Sequence, residues 1–432
     1  MVWETKHKAM NVTKVTGHLP PAKLNVRGRA PQKLTITFTP AELFGAMARC
    51  SHLHVINPSA ATPEAETCRH LLHQYVDDTS EDFAILGSAN RLKDFSRTHL
   101  AGVVGAGISY LQMVRDGYIW FDHFENFALA GPAPSSKSPD FVFSQIGHGT
   151  VAVSESKATR GSSRKQFDGT VKRGYIEQVA PYLGTKLGSS VVSHGYAIGS
   201  WMTSLSRAEI LVHHTGTPTR SAAGPGEGPD PIDIRRGNYL DILSLLLGPS
   251  ISRAARERTW NARGRRFVTA RWLGHDWLLG MAPSHGAFAI ADRGEPVWAA
   301  LEEEPQVLWS FNAFALELGV ARRVFDSLDT PITQVDPLSN IPVMSDRLIA
   351  EASDFDSAVF PDGFAVIGRD AKLENVSVIM PIPRDPDKAQ AAEDGEAAEA
   401  QMGVVGDEAS EFGIISDVQE GMEQLEKNWL AE

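Results

Sequence analysis

Three ionisable residues close together along the chain have the types and spacing needed for metal-assisted hydrolysis. Asp140 follows Pro139 directly, and Glu155 and Lys157 lie two positions apart a short way further on. Carboxylates are ligands that a hard divalent cation such as Mg²⁺ prefers, and a lysine beside such a cation can orient or deprotonate a water molecule. The segment therefore contains candidates for holding a metal ion and for activating water.

Two predicted β-strands position these residues. Residues 140–146 and 150–156 alternate in polarity, and the turn Gly147-His148-Gly149 separates them, which predicts a hairpin. Folding about this turn brings the start of the first strand back to the end of the second. The ionisable residues are therefore expected to converge at one edge of a sheet.

Within the second strand, Glu155 and Lys157 are expected to project from the same face, because side chains at i and i+2 share a face. Asp140 returns beside this row, and the backbone carbonyl of Ser156 adds another oxygen. An ordinary cross-strand ion pair on a solvated face is the alternative interpretation of Glu155 and Lys157.

At these residues the chain resembles the PD-(D/E)xK nuclease superfamily, which has the restriction-endonuclease-like fold. The family signature matches Pro139-Asp140 on one strand and Glu155-Ser156-Lys157 on the next. The resemblance implies that Asp140 and Glu155 hold Mg²⁺, with Mn²⁺ as the other metal to expect. It also implies that Lys157 assists the attacking water, and the carbonyl of Ser156 is the expected further ligand.

A third acidic ligand comes from the preceding helix in many members of that family. Here no acidic residue lies between Asp94 and Asp116. Glu125, near the end of the strand before the motif, is the candidate that substitutes for it.

The pattern around the hairpin predicts an α/β sandwich in the order helix, three strands, helix, strand. The elements are a helix at 97–115, strands at 118–124, 140–146 and 150–156, a helix at 167–182, and strands at 189–198 and 208–214. This is the α-β-β-β-α-β core that the resemblance implies. Gly102, Gly105 and Gly107 thin one face of the first helix, which indicates close packing on a sheet.

The rest of the chain is divided by composition and periodicity. Helices are predicted at 40–52, where Thr39 and Pro40 have N-cap and N1 character, and at 64–77. Trp272 and Trp277 are predicted to pack in a hydrophobic core, and stacking on nucleic-acid bases is the alternative role. The predicted segments are a basic N-terminal arm (1–38), a helical N-terminal region (39–94), a nuclease-like domain (95–215), a Gly/Pro-rich linker (216–231), a C-terminal α+β domain (232–382) and a disordered acidic low-complexity tail (383–432).

Polar and cationic residues directly after the motif are candidates for contacting nucleic acid. They are Arg160, Ser162, Ser163, Arg164, Lys165, Gln166, Lys172, Arg173 and Gln178. Next to a metal site, cations are needed where a phosphate backbone must be neutralised. We therefore expect contacts with DNA, double-stranded in the first instance, and a solvated basic loop is the alternative.

The net charge of −12 is unevenly distributed along the 432 residues. Residues 383–432 hold fourteen acidic side chains against three basic ones, whereas the first 33 residues hold seven cations against Glu4 alone. No segment has the roughly 18 consecutive apolar residues of a membrane span. Cys50 and Cys68 are the only cysteines, which excludes a disulfide framework and favours a cytoplasmic protein.

Together these features predict a cytoplasmic Mg²⁺-dependent deoxyribonuclease that binds DNA and no membrane. The C-terminal region is the candidate for forming a homo-oligomer or for binding a partner protein. The alternative is a catalytically inactive nuclease-fold subunit of a larger assembly, for example one from a phage or a defence system.

Overall fold

Two β-sheets and seven helices make up the part of the chain that the computed structural model describes. It describes residues 3, 5–16, 31–51, 61–127, 129, 131–147, 149–161, 163–203, 208–215, 231–247, 267–280, 313–329, 336–368 and 371–379. The predicted α/β class is confirmed. Most of the predicted linker and the whole predicted acidic tail lie outside these residues. Within them, no helix is both long and apolar enough to cross a membrane.

The first sheet holds the candidate residues. Its strands are β1 (Lys8–Thr16), β2 (Gln32–Phe38), β3 (Trp120–His123), β4 (Phe141–Ser144), β5 (Thr150–Thr159), β6 (Lys186–Leu187), β7 (Ser190–Trp201) and β8 (Glu209–His214). They lie in the order β2-β1-β8-β7-β5-β4-β3, and β6 pairs with β7. The β3-β4-β5 meander is antiparallel, β5 is parallel to β7, and β1 is parallel to β8.

The helices are α1 (Pro40–Cys50), α2 (Ala61–Tyr75), α3 (Asp94–Arg115), α4 (Arg164–Gly174), α5 (Ile232–Leu247), α6 (Leu318–Asp329) and α7 (Asp346–Ala352). The predicted order of helix, three strands, helix and strand is therefore present as α3, β3, β4, β5, α4 and β7. Helix α4 differs in its bounds, since it begins after the N-cap Ser163 and passes at Tyr175 into a π-helical turn.

The second sheet contains β9 (Phe267–Trp272), β10 (His275–Leu279), β11 (Ala313–Glu317), β12 (Ala358–Val359), β13 (Phe364–Ile367) and β14 (Glu374–Ile379). Their order is β12-β13-β11-β10-β9-β14. The side chains of Trp272 and Trp277 are both buried, and their rings lie 5.7 Å apart. Core packing is thus the role of this pair, and neither ring is available to stack on a base.

The segment expected to be a basic arm, with an early strand at 34–38 as the other possibility, supplies both β1 and β2. Strand β2 covers that early strand, and β1 was not predicted. Met10 and Val12 alternate into the core. Lys8 is also buried, and its Nζ donates to the carbonyl oxygen of Asp78 at 3.2 Å. Lys14 pairs with Asp116. These two lysines are therefore engaged within the fold. Residues 17–30, which contain three more cations of that segment, lie outside the described part.

A buried ionic contact joins the helices between the sheets. Nη2 of Arg49 on α1 lies 2.7 Å from Oδ2 of Asp362, just before β13, and donates to Oδ1 of Asn238 on α5 at 2.6 Å. Nη1 donates to the Tyr110 hydroxyl on α3 at 2.6 Å. The rings of Tyr110, Phe121, Phe360 and Phe364 surround the guanidinium. One side chain thereby connects three helices and the second sheet.

Removing Asp362 should destabilise the protein strongly. The change Asp362→Ala leaves a buried guanidinium without its counter-charge, which costs about 3–5 kcal/mol. The matched control is Glu351→Ala, which breaks the exposed pair with Arg347 on α7 and should cost at most about 0.5 kcal/mol. Urea unfolding followed by circular dichroism measures both. If the two variants lose the same free energy of unfolding, the contact between Arg49 and Asp362 does not contribute strongly to stability.

Candidate metal centre and active site

Strand β5 presents Glu155 and Lys157 on one face and Ala158 on the other, as the alternation predicts. On the first face, a Cβ placed on Gly174 of α4 would lie 3.3 Å from Lys157 Cε and 3.4 Å from Glu155 Cγ. On the opposite face, a Cβ on Gly105 of α3 would collide with Ala158. Each helix therefore approaches β5 through a glycine, and the predicted close packing of α3 on a sheet is confirmed.

Asp140 is fixed by the backbone of β5. Its amide donates to the carbonyl oxygen of Ser154 at 3.0 Å, and its Oδ2 accepts from the amide of Ser156 at 2.7 Å. Its own carbonyl accepts from the amide of Phe124 at 3.0 Å. The Asp140 carboxyl is thereby close enough to Glu155 for its charge to raise the pKa of Glu155. The predicted convergence of the two carboxyls is thus present.

Glu155 is almost completely buried, with 1% of its side chain exposed, and Lys157 covers it with 29% exposed. Nζ of Lys157 forms an ion pair with Oε1 of Glu155. Oε2 is buried and accepts no hydrogen bond from the described residues. Gln178 donates from its Nε2 to the carbonyl of Ser138 at 2.9 Å, and it also lowers the pKa of the nearby Glu155 carboxyl. Oε2 is therefore a buried oxygen that lies near Gln178 and forms no well-aligned hydrogen bond among the described residues.

The surroundings of the two carboxyls favour their protonated forms. Burial raises the pKa of Glu155, the charge of Asp140 raises it further, Lys157 opposes both effects, and the result is about 8. Burial also raises the pKa of Asp140, against the Ser156 amide and Lys157, while Glu125 adds to the rise. Buried carboxylates that repel each other in this way are relieved by a bound cation.

These residues fit a divalent metal ion in donor type. Asp140 and Glu155 offer hard carboxylate oxygens, and Mg²⁺ binds with one or two carboxylates and completes its shell with water and phosphate oxygens. Among the described residues, no three side chains of the types His, Cys, Asp or Glu are grouped closely enough to hold a metal. Glu125, the expected third ligand, is exposed and lines the same cleft as Asp140. Ser156 contacts Asp140 through its amide and Ser109 through its hydroxyl, at 3.0 Å.

A cleft of about 310 Å³ opens on the α3 face of β5 beside Asp140. Its lining residues are Cys50, Ser51, Gly102, Ala106, His123, Glu125, Asp140, Phe141, Ser156 and Ala158. A Cβ on Gly102 would meet nothing within 4 Å. This glycine therefore keeps the cleft wide instead of serving helix packing, which is the role expected for it from the sequence. Its i,i+4 spacing from Ala106 is the available signal, but the sequence does not show which helix face is open.

The candidates for binding DNA fall into two groups. Arg164 is engaged within the fold, because it pairs with Asp168 at 2.8 Å and with Glu209 and lies over the ring of Trp201. Ser163 caps α4 by accepting from the amide of Gln166. Ser162 lies outside the described residues.

The second group faces solvent on α4. It comprises Lys165, Gln166, Lys172 and Arg173, all of which are exposed. Helix α4 covers the face of β5 that holds Glu155 and Lys157, so these cations are carried on the same side of the sheet. Arg160, at the end of β5, donates to Oδ1 of Asn90 at 2.9 Å.

Comparison with known proteins adds no assignment. No family model matches the sequence, and no curated protein and no solved structure is similar to the chain.

Replacing Glu155 by Gln should reduce the loss of stability of the metal-free protein as the pH rises. The pKa of Glu155 is raised from 4.5 to about 8 on folding. Its stabilising contribution is therefore complete below about pH 4.5 and is lost as the pH rises through about 8. Thermal unfolding in EDTA should show a steeper fall in melting temperature between about pH 4.5 and 8 for wild type than for Glu155→Gln.

The exposed Glu351→Gln change on α7 is the control for loss of a carboxylate, and it should follow the wild-type curve. Parallel curves for wild type and Glu155→Gln would mean that the raised pKa is absent.

Proposed function

We propose that the protein is a metal-dependent deoxyribonuclease of the PD-(D/E)xK superfamily. The observation that carries the proposal is that Asp140, Glu155 and Lys157 lie near one end of β5. Asp140 lines the cleft on the α3 face, and Glu155 and Lys157 lie on the α4 face. The order α3, β3, β4, β5, α4 and β7, with β5 parallel to β7, supports a restriction-endonuclease-like core, because that resemblance implies the same order. The signature residues occupy the strands on which the resemblance requires them.

In this proposal Asp140 and Glu155 hold Mg²⁺, or Mn²⁺ in its place, through their carboxylate oxygens. When bound, the metal lowers the pKa of the attacking water and offsets charge that develops on the phosphate. The buried Oε2 of Glu155 supports this role, because a carboxylate oxygen with no well-aligned donor is a costly feature unless a cation satisfies it. The backbone of β5 fixes Asp140, so that one ligand is positioned before the substrate arrives.

Lys157 is the group that acts on the reacting atoms. Its Nζ carries three N–H donors, and in this structure it is directed at Glu155. Once that carboxylate is shared with a cation, the ammonium group is released to orient the water or to stabilise negative charge on the phosphate. With 29% of the side chain exposed, Lys157 is the most accessible residue of this pair.

DNA is the substrate class that the charges favour. Lys165, Lys172 and Arg173 are exposed on α4, which packs over the Glu155 face of β5. Cations that track a phosphate backbone supply most sequence-independent affinity for nucleic acid. Among the described residues, none of these three side chains forms an ion pair with an acidic residue.

One observation favours the catalytically inactive alternative. Glu155 is 1% exposed, so substrate and metal reach it only if Lys157 moves aside. An interaction subunit with a nuclease-like fold would retain this closed pair permanently. Cleavage assays separate the two functions.

Purified protein should cleave linear or circular DNA in the presence of Mg²⁺ or Mn²⁺ and not in EDTA. Lys157→Met should lower the rate by about hundredfold or more, since a positioned proton donor or acceptor contributes this much. Glu155→Gln should abolish metal-dependent cleavage while the fold, checked by circular dichroism, is kept. Gel analysis of the products over time measures all three.

The matched control removes an exposed pair of the same charge types on α7, as Arg347→Ala with Glu351→Ala, and should cleave at the wild-type rate. If wild type shows no cleavage with either metal, or if Glu155→Gln cleaves as fast as wild type, the nuclease proposal is wrong.

A further inference from the structure

Phe95 is the most exposed large apolar side chain among the described residues, with 77% of its surface accessible. It lies in the first turn of α3, whose start is marked by Lys93 at the N-cap. A single exposed apolar side chain is ordinary on a protein surface. Whether it forms part of a binding surface therefore depends on what surrounds it.

The surroundings of Phe95 are cationic. Arg91 and Lys93 precede it and are exposed, and Arg97 follows it in the same helix turn. Arg160 comes from the end of β5 and is tied to this region by its hydrogen bond to Asn90. Burial lowers the pKa of Arg160, and the positive charge of Arg97 adds to the effect.

A carboxylate only weakly offsets these charges. Arg97 pairs with Asp94, whose side chain is exposed, and exposed ion pairs of this kind are worth little. Arg160 hydrogen-bonds to neutral acceptors, Asn90 Oδ1 and the carbonyl of Leu86. The surface therefore combines an aromatic face with cations that remain attractive to an anion.

Helix geometry connects this surface to the cleft. Phe95 and Gly102 are seven residues apart on α3, which places them within about 20° of each other around the helix and about 10.5 Å apart along it. Gly102 opens on the cleft that Asp140 lines. Phe95 and the cleft thus lie along one continuous face of α3.

We propose that this face of α3 binds single-stranded DNA that leads to the cleft, an inference that rests on the proposed function for the choice of DNA. A base stacks on Phe95, and adjacent phosphates contact Lys93 and Arg97, whose side chains reach solvent. The strand then passes Gly102 towards Asp140. Unpaired bases are required because stacking on an aromatic ring needs a free base face.

The dimensions of the cleft agree with a single strand. Its volume of about 310 Å³ is at the lower end of ligand pockets, which span roughly 300–1,000 Å³. A pocket of that size has room for one nucleotide-sized group. In this proposal the DNA is unpaired where a base stacks on Phe95 and the strand enters the cleft.

Binding is measured on the full chain in EDTA, so that metal-dependent cleavage does not interfere. Fluorescence anisotropy with labelled oligo(dT) of about 20 nucleotides, longer than one binding site, should give tighter binding than a blunt hairpin duplex. Phe95→Ala should weaken oligo(dT) binding by about tenfold, and Phe95→Trp should restore it. Lys93→Ala with Arg97→Ala should lower the dependence of affinity on salt by about one to two phosphate contacts.

Two matched controls accompany these variants. Ile146→Ala removes another exposed apolar side chain, 56% accessible, near the opposite end of β5. Arg347→Ala removes an exposed arginine on α7. Both should bind oligo(dT) as wild type does, and all variants should keep the wild-type melting temperature. Equal affinity of Phe95→Ala and wild type, or equal affinity for oligo(dT) and duplex, would overturn the inference.

Failure here and failure of the nuclease proposal give different results. If cleavage requires Glu155 but Phe95→Ala binds oligo(dT) normally, the protein is a nuclease and this surface is not its DNA track. If binding to oligo(dT) requires Phe95 but no metal supports cleavage, this surface binds single-stranded DNA and the nuclease proposal is wrong.

Discussion

The contact between Arg49 and Asp362 is the interaction on which the arrangement of the two sheets depends. It is buried, and it reaches α3 through Tyr110 and α5 through Asn238. A buried charge is tolerated only when its counter-charge and its hydrogen-bond partners are in place. The helices α1, α3 and α5 and the segment before β13 must therefore assemble together. Cys50, the next residue on α1, lines the cleft. The position of the cleft wall is therefore set by a contact between the sheets.

The candidate metal centre also buries charged groups, but their charges are not balanced within the fold. Around Arg49, every charge has an opposite partner within the fold, whereas Asp140 and Glu155 share one cation, Lys157, between two carboxyls. Burial raises the pKa of both acids, and the charge of Asp140 adds to the rise for Glu155. The ion pair at Arg49 is therefore balanced in charge, whereas the one at Glu155 has a second carboxyl beside it.

Much of the hairpin was predictable because its signals are local. The alternation on β5 and the glycine turn before it place Glu155 and Lys157 without knowledge of the rest of the chain. The N-cap of α1 is equally local, with Thr39 and Glu42 forming a capping box. Long-range partners were not predictable. Arg164 was predicted to contact DNA, but in the structure it pairs with Glu209. The sequence does not show this pairing because Glu209 is 45 residues away along the chain.

The parallel pairing of β1 with β8 has a consequence for the order of folding. Thr16 and His214 meet across this pair although 198 residues separate them. At translation rates of roughly 5–20 residues per second, β1 leaves the ribosome on the order of 10–40 seconds before β8 exists. Its antiparallel neighbour β2 follows after only 15 intervening residues. The hairpin of β1 and β2 thus keeps one edge exposed during synthesis, and that edge is a target for chaperones until β8 arrives.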